Sequence, residues 1–455
     1  MPAFRFVRGG GIAALLSLFL AACGGGSDQA PAPNKPPAIA QFSADRAAYS
    51  IGERAQLTAR FENGTARILP GNIAVQSGQG VMSHPLVYGP NEFELIVTNG
   101  GETVRRTIVL NATYRDRMRS VEAPFARAEH RAVRLSDGRV LFVGGEDASA
   151  ALPNSLWVFD PLTERFSNYG ASLSTGRIGF VAVTLYNGDV FVAGGERGLA
   201  TAPSAEIIRT SDRTVVPTAM PMQRARTWSA ASLLMDGKVF ISGGTAIAAS
   251  DTVEVFDPAT GTFTLLPGRL SVGRYAHTSV RIDSRRILIY GGFSLDGDMP
   301  PPEIYDPVDG VSHPLQPVEA NARGNHQAHT MQDGGVLIVG GEDSDSVPLT
   351  SVLRFDPATG VIAPFAHLAT PRTFFGLGRL SDARVLLVGG VMGQSQGDVA
   401  NTTESFALDR TRRDGPAMSQ SRWHHSVTPL VDGRLLIVGG LGPDRMPIRG
   451  AEIYE

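Results

Sequence analysis

The chain has 455 residues, 42% of them apolar, and includes 52 glycines and 30 prolines. That length allows two to four domains with a sizeable core, and so many turn formers argue against long helices. A net charge of -3 with no polybasic or polyacidic run excludes the usual electrostatic signature of a nucleic-acid or acidic-membrane partner.

The chain opens with Arg5 and Arg8 and then "GIAALLSLFLAA", an apolar run of signal-peptide length and too short for a mature spanning helix. It ends in "LAAC", Leu20 to Cys23, and Cys23 is the only cysteine. This stretch resembles the bacterial lipobox. The resemblance implies a signal peptide over residues 1–22, lipidation of Cys23 and a place in the bacterial cell envelope. By the same resemblance Gly24, standing where Asp would retain the protein, implies the outer membrane. Two or more acyl chains, at about 0.8 kcal/mol per buried methylene, would make the anchor permanent. With one cysteine no internal disulfide can form, so stability must come from packing. Residues 23–37 continue through "GGGSDQAPAPNKPP", a tether that is flexible at first and stiffer at its prolines.

Over residues 38–113 the pattern becomes short alternating runs, "AQLTARF", "FELIVTN" and "VRRTIVLNA", separated by "ENG", "GPN" and "NGGE". These predict a small all-β sandwich. The segment resembles the immunoglobulin-like modules of bacterial envelope proteins, without their cysteine pair or core tryptophan, and the resemblance implies a spacer.

Residues 114–455 are one repeat. Diglycines stand at Gly144, Gly194, Gly243, Gly291, Gly340, Gly389 and Gly439, each followed by its partner, at spacings of 50, 49, 48, 49, 49 and 50. Each unit has a first strand ("HTSVRI"), a turn, a continuous apolar strand ("RVLFVGG"), a third strand ending in Asp-Pro ("VEVFDP") and a fourth. An apolar run without alternation suits a strand covered on both faces. The diglycine suits a strand end with unusual dihedrals. Period and diglycine together resemble the kelch repeat, which implies a seven-bladed β-propeller of the galactose oxidase-like superfamily. The seventh unit stops at Tyr454-Glu455 without a fourth strand. Residues near 117–126, which align with the fourth strand of the fifth unit through the shared Pro-Phe, are expected to supply it and close the ring.

Arg127, Arg177, Arg226, Arg274, Arg323, Arg372 and Arg422 each stand seventeen residues before a diglycine. Two readings fit them. One is an anion-binding ring at the mouth of the channel, since guanidinium forks suit carboxylates and phosphates. The other is a blade-internal role, with Glu206, Glu254, Glu303, Glu404 and Glu452 at one third-strand position as partners, a series broken by Trp157 and Leu353. Three residues after the arginines come His130, Phe180, Ser229, His277, His326, Phe375 and His425. The four histidines suit a sugar or a metal in one reading and packing near the channel in the other.

His424-His425 after Trp423 is similar to the copper-binding Tyr-His of galactose oxidase. The cross-linked cysteine that such chemistry needs has no counterpart beyond Cys23, so copper radical oxidation is not expected. "GGEDSDSVP" reads as a solvated turn rather than a calcium loop, and no metal or other cofactor is predicted. The sequence has no GxSxG, HExxH or phosphate loop, and no catalytic residues are assigned. Two functions remain: a monomeric binding module for a glycan or an envelope protein, or a saccharide-modifying enzyme similar to the sialic-acid mutarotase of this superfamily, needing only one or two positioned groups. The longest departures from the repeat, "LDGDMPPP" and "MGQSQGDVANT", are the expected partner-specific loops.

Overall fold

The computed structural model describes residues 35–197, 200–201, 203–316 and 322–455. Cys23 and most of the tether lie outside them. The described residues are strands, turns and loops with no helix. Strands from Ala38 to Thr113 form a sandwich of a three-stranded and a five-stranded sheet. The alternation of "RAQLTARFE" puts Ala55, Leu57 and Ala59 inward, where they pack with Phe42, Ile68, Phe93, Leu95 and Val97.

Seven four-stranded sheets follow. The first strand of each packs beside the first strand of the next, and the seventh returns to the first, so the sheets form a closed ring. The second strands, such as Val140–Val143 and Leu435–Val438, are buried at all four positions. Their uniform apolarity has a packing cause. Leu141 and Val143 point to the second sheet, against Phe180, Val190 and Val192. Val140 and Phe142 point to the seventh, against Leu436 and Val438. Each such side chain stabilises the fold by roughly 1.5–3 kcal/mol on full burial.

The seventh sheet takes its fourth strand from the start of the repeat region. Met118–Ala126 pairs antiparallel with Arg449–Tyr454, with Tyr454 opposite Met118 and Arg449 opposite Ala126. Beyond that ladder Arg117 and Glu455 exchange backbone hydrogen bonds of 3.2 and 3.1 Å. The Glu455 carboxylate receives both Arg117 and Arg119.

The sandwich meets the ring at the hairpin turns between first and second strands. Tyr114 donates to the Gly433 carbonyl at 2.7 Å and accepts from the Ser381 amide at 2.8 Å. Asp116 accepts from Arg384 and from the Tyr454 hydroxyl. Gly52 lies against the Arg434 guanidinium, where a Cβ would stand only 2.7 Å from Nε. The opposite face of the ring is therefore the one left open by the sandwich.

Candidate functional site

The seven arginines are turned into the blades. Arg127, Arg177, Arg226, Arg274, Arg323, Arg372 and Arg422 are all at most 2% exposed. Each donates through Nη1 to the carbonyl of the first glycine of its own diglycine, at 2.7 to 3.2 Å. Nη2 reaches the third-strand carboxylates: Glu206 at 2.8 Å, Glu254 at 2.7 Å, Glu303, Glu404 at 3.4 Å and Glu452 at 3.0 Å. Where Trp157 and Leu353 break that series, Arg127 and Arg323 still bond to the Ser155 and Ser351 hydroxyls, both at 2.7 Å, as Arg177, Arg226 and Arg372 do to those of Ser204, Thr252 and Thr402. Burial pushes the guanidinium of Arg127 down to about 10. The anion-binding ring of the first sequence reading is thus corrected. Its charges are spent on satisfying carbonyls that end a buried strand and would otherwise lack donors.

The arginine backbones link neighbouring blades. The second glycine of each diglycine donates its N–H to the carbonyl of the next unit's arginine, from Gly145 to Arg177 at 3.0 Å through to Gly440 to Arg127 at 2.8 Å. The first glycines have φ of +52° to +70° and the second +90° to +98°, a region in which a side chain is strained.

The first glycine also makes room for the variable residue three positions after the arginine of the following unit. A Cβ on Gly439 would meet the His130 ring at 3.1 Å, one on Gly243 the His277 ring at 2.5 Å, one on Gly291 the His326 ring at 2.8 Å and one on Gly389 the His425 ring at 3.0 Å. Phe180 and Phe375 fill the same place against Gly144 and Gly340. The four histidines are therefore wedges between blades that also form the deeper wall of the channel. Nε2 of His130, His277 and His326 meets the hydroxyls of Ser426, Ser242 and Thr278 at 2.8, 2.9 and 2.8 Å. Burial holds all four imidazoles neutral, with His130 and His326 pushed down to about 3.

The residue that faces the mouth of the channel is the one between these two positions. Glu129, Gly179, Trp228, Ala276, Asn325, Phe374 and His424 all have φ of +49° to +64°. Backbone hydrogen bonds run round the ring through them: Glu129 N–H to His424 O at 3.1 Å, Trp228 to Gly179 at 2.7 Å, Ala276 to Trp228 at 3.0 Å, Asn325 to Ala276 at 3.2 Å and His424 to Phe374 at 3.1 Å. These bonds hold six non-glycine residues in a conformation that costs each of order 1–3 kcal/mol.

All seven line a cavity of about 360 Å³. Three of the seven carry aromatic rings. Phe374 is tilted against His424 with centroids 4.5 Å apart, Trp423 stands 4.7 Å from the same imidazole, and Trp228 approaches it from across the ring at 6.2 Å. Behind these rings Val391, Val399 and Trp423 pack together, so the long "MGQSQGDVANT" loop buttresses the wall. Carboxylates stand among and behind these rings. Glu129 lies 3.9 Å from His424 Nε2, and its Oε2 is buried with no hydrogen-bond partner. Burial, then Glu146, push its carboxyl up to about 7, with Glu196 adding to this and Arg131 opposing it. Glu196 accepts from Trp228 Nε1 at 3.1 Å, and Glu342 from Asn325 at 2.8 Å. His424 is pushed down to about 3, chiefly by burial, and so is neutral.

Sequence reasoning followed the residue types that repeat and passed over the position that does not. The signal that could have found it is the lack of any shared residue type there, since a ligand touches each blade differently. In "GGEDSDSVP", Asp343 Oδ1 accepts from the amides of Asp345 and Val347 at 3.0 and 2.9 Å.

A family model for the Kelch motif matches residues 229–268. No curated protein matches the chain. Among solved structures, the chain is similar to a fungal alcohol oxidase of the AA5 family in complex with copper, at a TM-score of 0.61 and 14% identity, over 74% of this chain and 75% of that one. The residues here do not fit a copper centre. Among the described residues no three His, Cys, Asp or Glu side chains are grouped to hold a metal, and His424 stands among rings. The repeat, the closed ring of four-stranded sheets and the matches identify the chain as a kelch-repeat β-propeller of the galactose oxidase-like fold.

Proposed function

We propose that this is an envelope-anchored bacterial lipoprotein, monomeric and held at the outer membrane through Cys23, whose propeller is a binding module for a saccharide. The observation that carries the ligand class is the cavity at the mouth, lined by the rings of Trp228, Phe374 and His424 together with the polar groups of Glu129 and Asn325. Aromatic faces beside a few converging polar groups suit a pyranose, which has apolar C–H faces and a polar rim. The lipobox and tether support the anchor, and the sandwich on the far face leaves the mouth accessible to a glycan of the envelope.

The reading is tested with the full-length chain on a glycan array and by thermal shift. A saccharide at a hundredfold excess over its Kd should stabilise the protein by about 2.7 kcal/mol. Trp228→Ala should abolish that shift without lowering the melting temperature of the free protein. Stabilisation by envelope proteins alone would move the function to protein binding. Labelled-acyl incorporation should be lost in Cys23→Ala, and incorporation that persists there would rule out Cys23 as the site of the anchor.

A second reading, a saccharide-modifying enzyme, is favoured by one observation: the near-neutral carboxyl of Glu129 beside His424 suits general acid–base work. Faster anomer exchange of the bound sugar, measured by NMR and lost in Glu129→Gln, would establish it.

A further inference from the structure

With the seven repeated arginines withdrawn into the blades, the acidic and basic residues that line the cavity are Glu129 and Arg131. We propose that the saccharide carries a protonated amino group and that this ammonium seats against the Glu129 carboxylate: the ligand is an amino sugar. This inference rests on the saccharide reading above and names the class within it.

Three observations converge. Glu129 Oε2 is buried in the cavity wall without a partner, and a buried acceptor in that state favours a ligand that brings a donor. The charges around it are mostly negative. Glu146 and Glu196 act on it from the first and second blades, while on the far side Glu342 is tied to Asn325. The opposing cation is Arg131, which also lines the cavity and whose Nε donates to the Phe180 carbonyl at 3.2 Å. His424, the remaining titratable group against Glu129, is neutral and adds no positive charge. The third observation is the set of aromatic rings. Trp228 and Phe374 flank the same imidazole, and ring faces attract an ammonium as they attract C–H groups. An ammonium would thus complete the Glu129 carboxylate with a charge-assisted hydrogen bond while the sugar ring lies against the aromatic rings.

The test compares glucosamine, N-acetylglucosamine and glucuronate by calorimetry on the full-length chain at pH 7.5. Glucosamine should bind about tenfold or more tightly than N-acetylglucosamine, the scale of one charge-assisted hydrogen bond. Glu129→Gln should remove that preference, so that the two sugars bind alike. Should the variant fail to fold, the wild-type protein carries a second test. Its affinity for glucosamine should fall between pH 7.5 and pH 5.5 as Glu129 takes up a proton. Protonation of the amine itself would act in the other direction, so a fall is diagnostic. Equal affinity for the two sugars, or tighter binding of glucuronate, would overturn the amino-sugar inference and leave the saccharide reading standing. Binding of none of the three would remove this inference, and with an unresponsive glycan array the saccharide reading as well.

Discussion

The amide of Gly440 donates to the carbonyl of Arg127 at 2.8 Å, joining the last diglycine of the chain to its first repeated arginine. It is the seventh in a series of equivalent bonds, and its two residues come from opposite ends of the repeat region. Gly440 has φ of +93°, and a Cβ there would stand 2.6 Å from the Trp423 carbonyl. Gly440→Ala should therefore destabilise the ring by at least about 1–3 kcal/mol, from backbone strain alone. Chemical denaturation would measure this. A stability equal to wild type would show that the junction yields without cost.

Arg226 and Glu254 form a pair in which both side chains are fully buried, 2.7 Å apart. Removing the arginine alone leaves a carboxylate inside the third blade without its cation. Arg226→Ala should cost about 3–5 kcal/mol in unfolding free energy. Replacing both residues by apolar ones of similar volume should cost much less. If the single variant bound its ligand poorly but unfolded like wild type, the arginine would have a ligand role that its position in the blade does not suggest.

His326 occupies a place that Phe180 and Phe375 fill in other blades, so His326→Phe should fold. At pH 7 it should lose about 1 kcal/mol with the Nε2–Thr278 hydrogen bond. In acid the order should reverse. The native imidazole is held down at about 3, well below its ordinary value of 6.5. Its contribution is present above pH 6.5 and is lost as pH falls towards 3, because only the unfolded chain takes up the proton. Melting temperatures at pH 7 and pH 4 would show the crossing. A constant difference between variant and wild type would contradict it.

Glu129 gives the opposite slope. Its folded carboxyl is raised from 4.5 to about 7, so its contribution is present below pH 4.5 and lost as pH rises through 7. Relative to wild type, Glu129→Gln should become more stable as pH rises from 4.5 to 8, by up to about 3 kcal/mol. Unfolding curves at the two pH values would decide it, and a difference independent of pH would place the carboxyl in an ordinary solvated state.

Much of the fold was legible because the forces that build a blade act alike in every unit. A doubly covered second strand needs an apolar run, a close crossing needs two glycines, and the carbonyl that ends the strand needs a donor. These needs write the same letters seven times. The pairing of the arginines with Glu206, Glu254, Glu303, Glu404 and Glu452 was legible on the same grounds, and the hydroxyls of Ser155, Ser204, Thr252, Ser351 and Thr402 were not. They stand two residues before the third-strand position, and only the sheet geometry brings them to the guanidinium. The mouth was the least legible part. Glu129, Gly179, Ala276 and Asn325 share no chemistry with the rings of Trp228, Phe374 and His424, and the common feature of the seven is a positive φ held by hydrogen bonds between blades. Single-sequence patterning does not reveal a dihedral angle adopted by such unlike side chains.

The positive-φ ring at the mouth separates two tasks that most binding sites must combine. Its backbone is fixed by neighbouring blades, so each side chain there can be exchanged without disturbing the arginine brackets or the interblade wedges beneath. The seven positions behave as sockets on a common bezel, with one restriction on what each accepts. A left-handed backbone penalises β-branched residues, and no valine, isoleucine or threonine stands at any of the seven. A propeller of this kind can be given a new ligand by resetting several sockets at once from residues that tolerate the turn, with the ring itself left as it is.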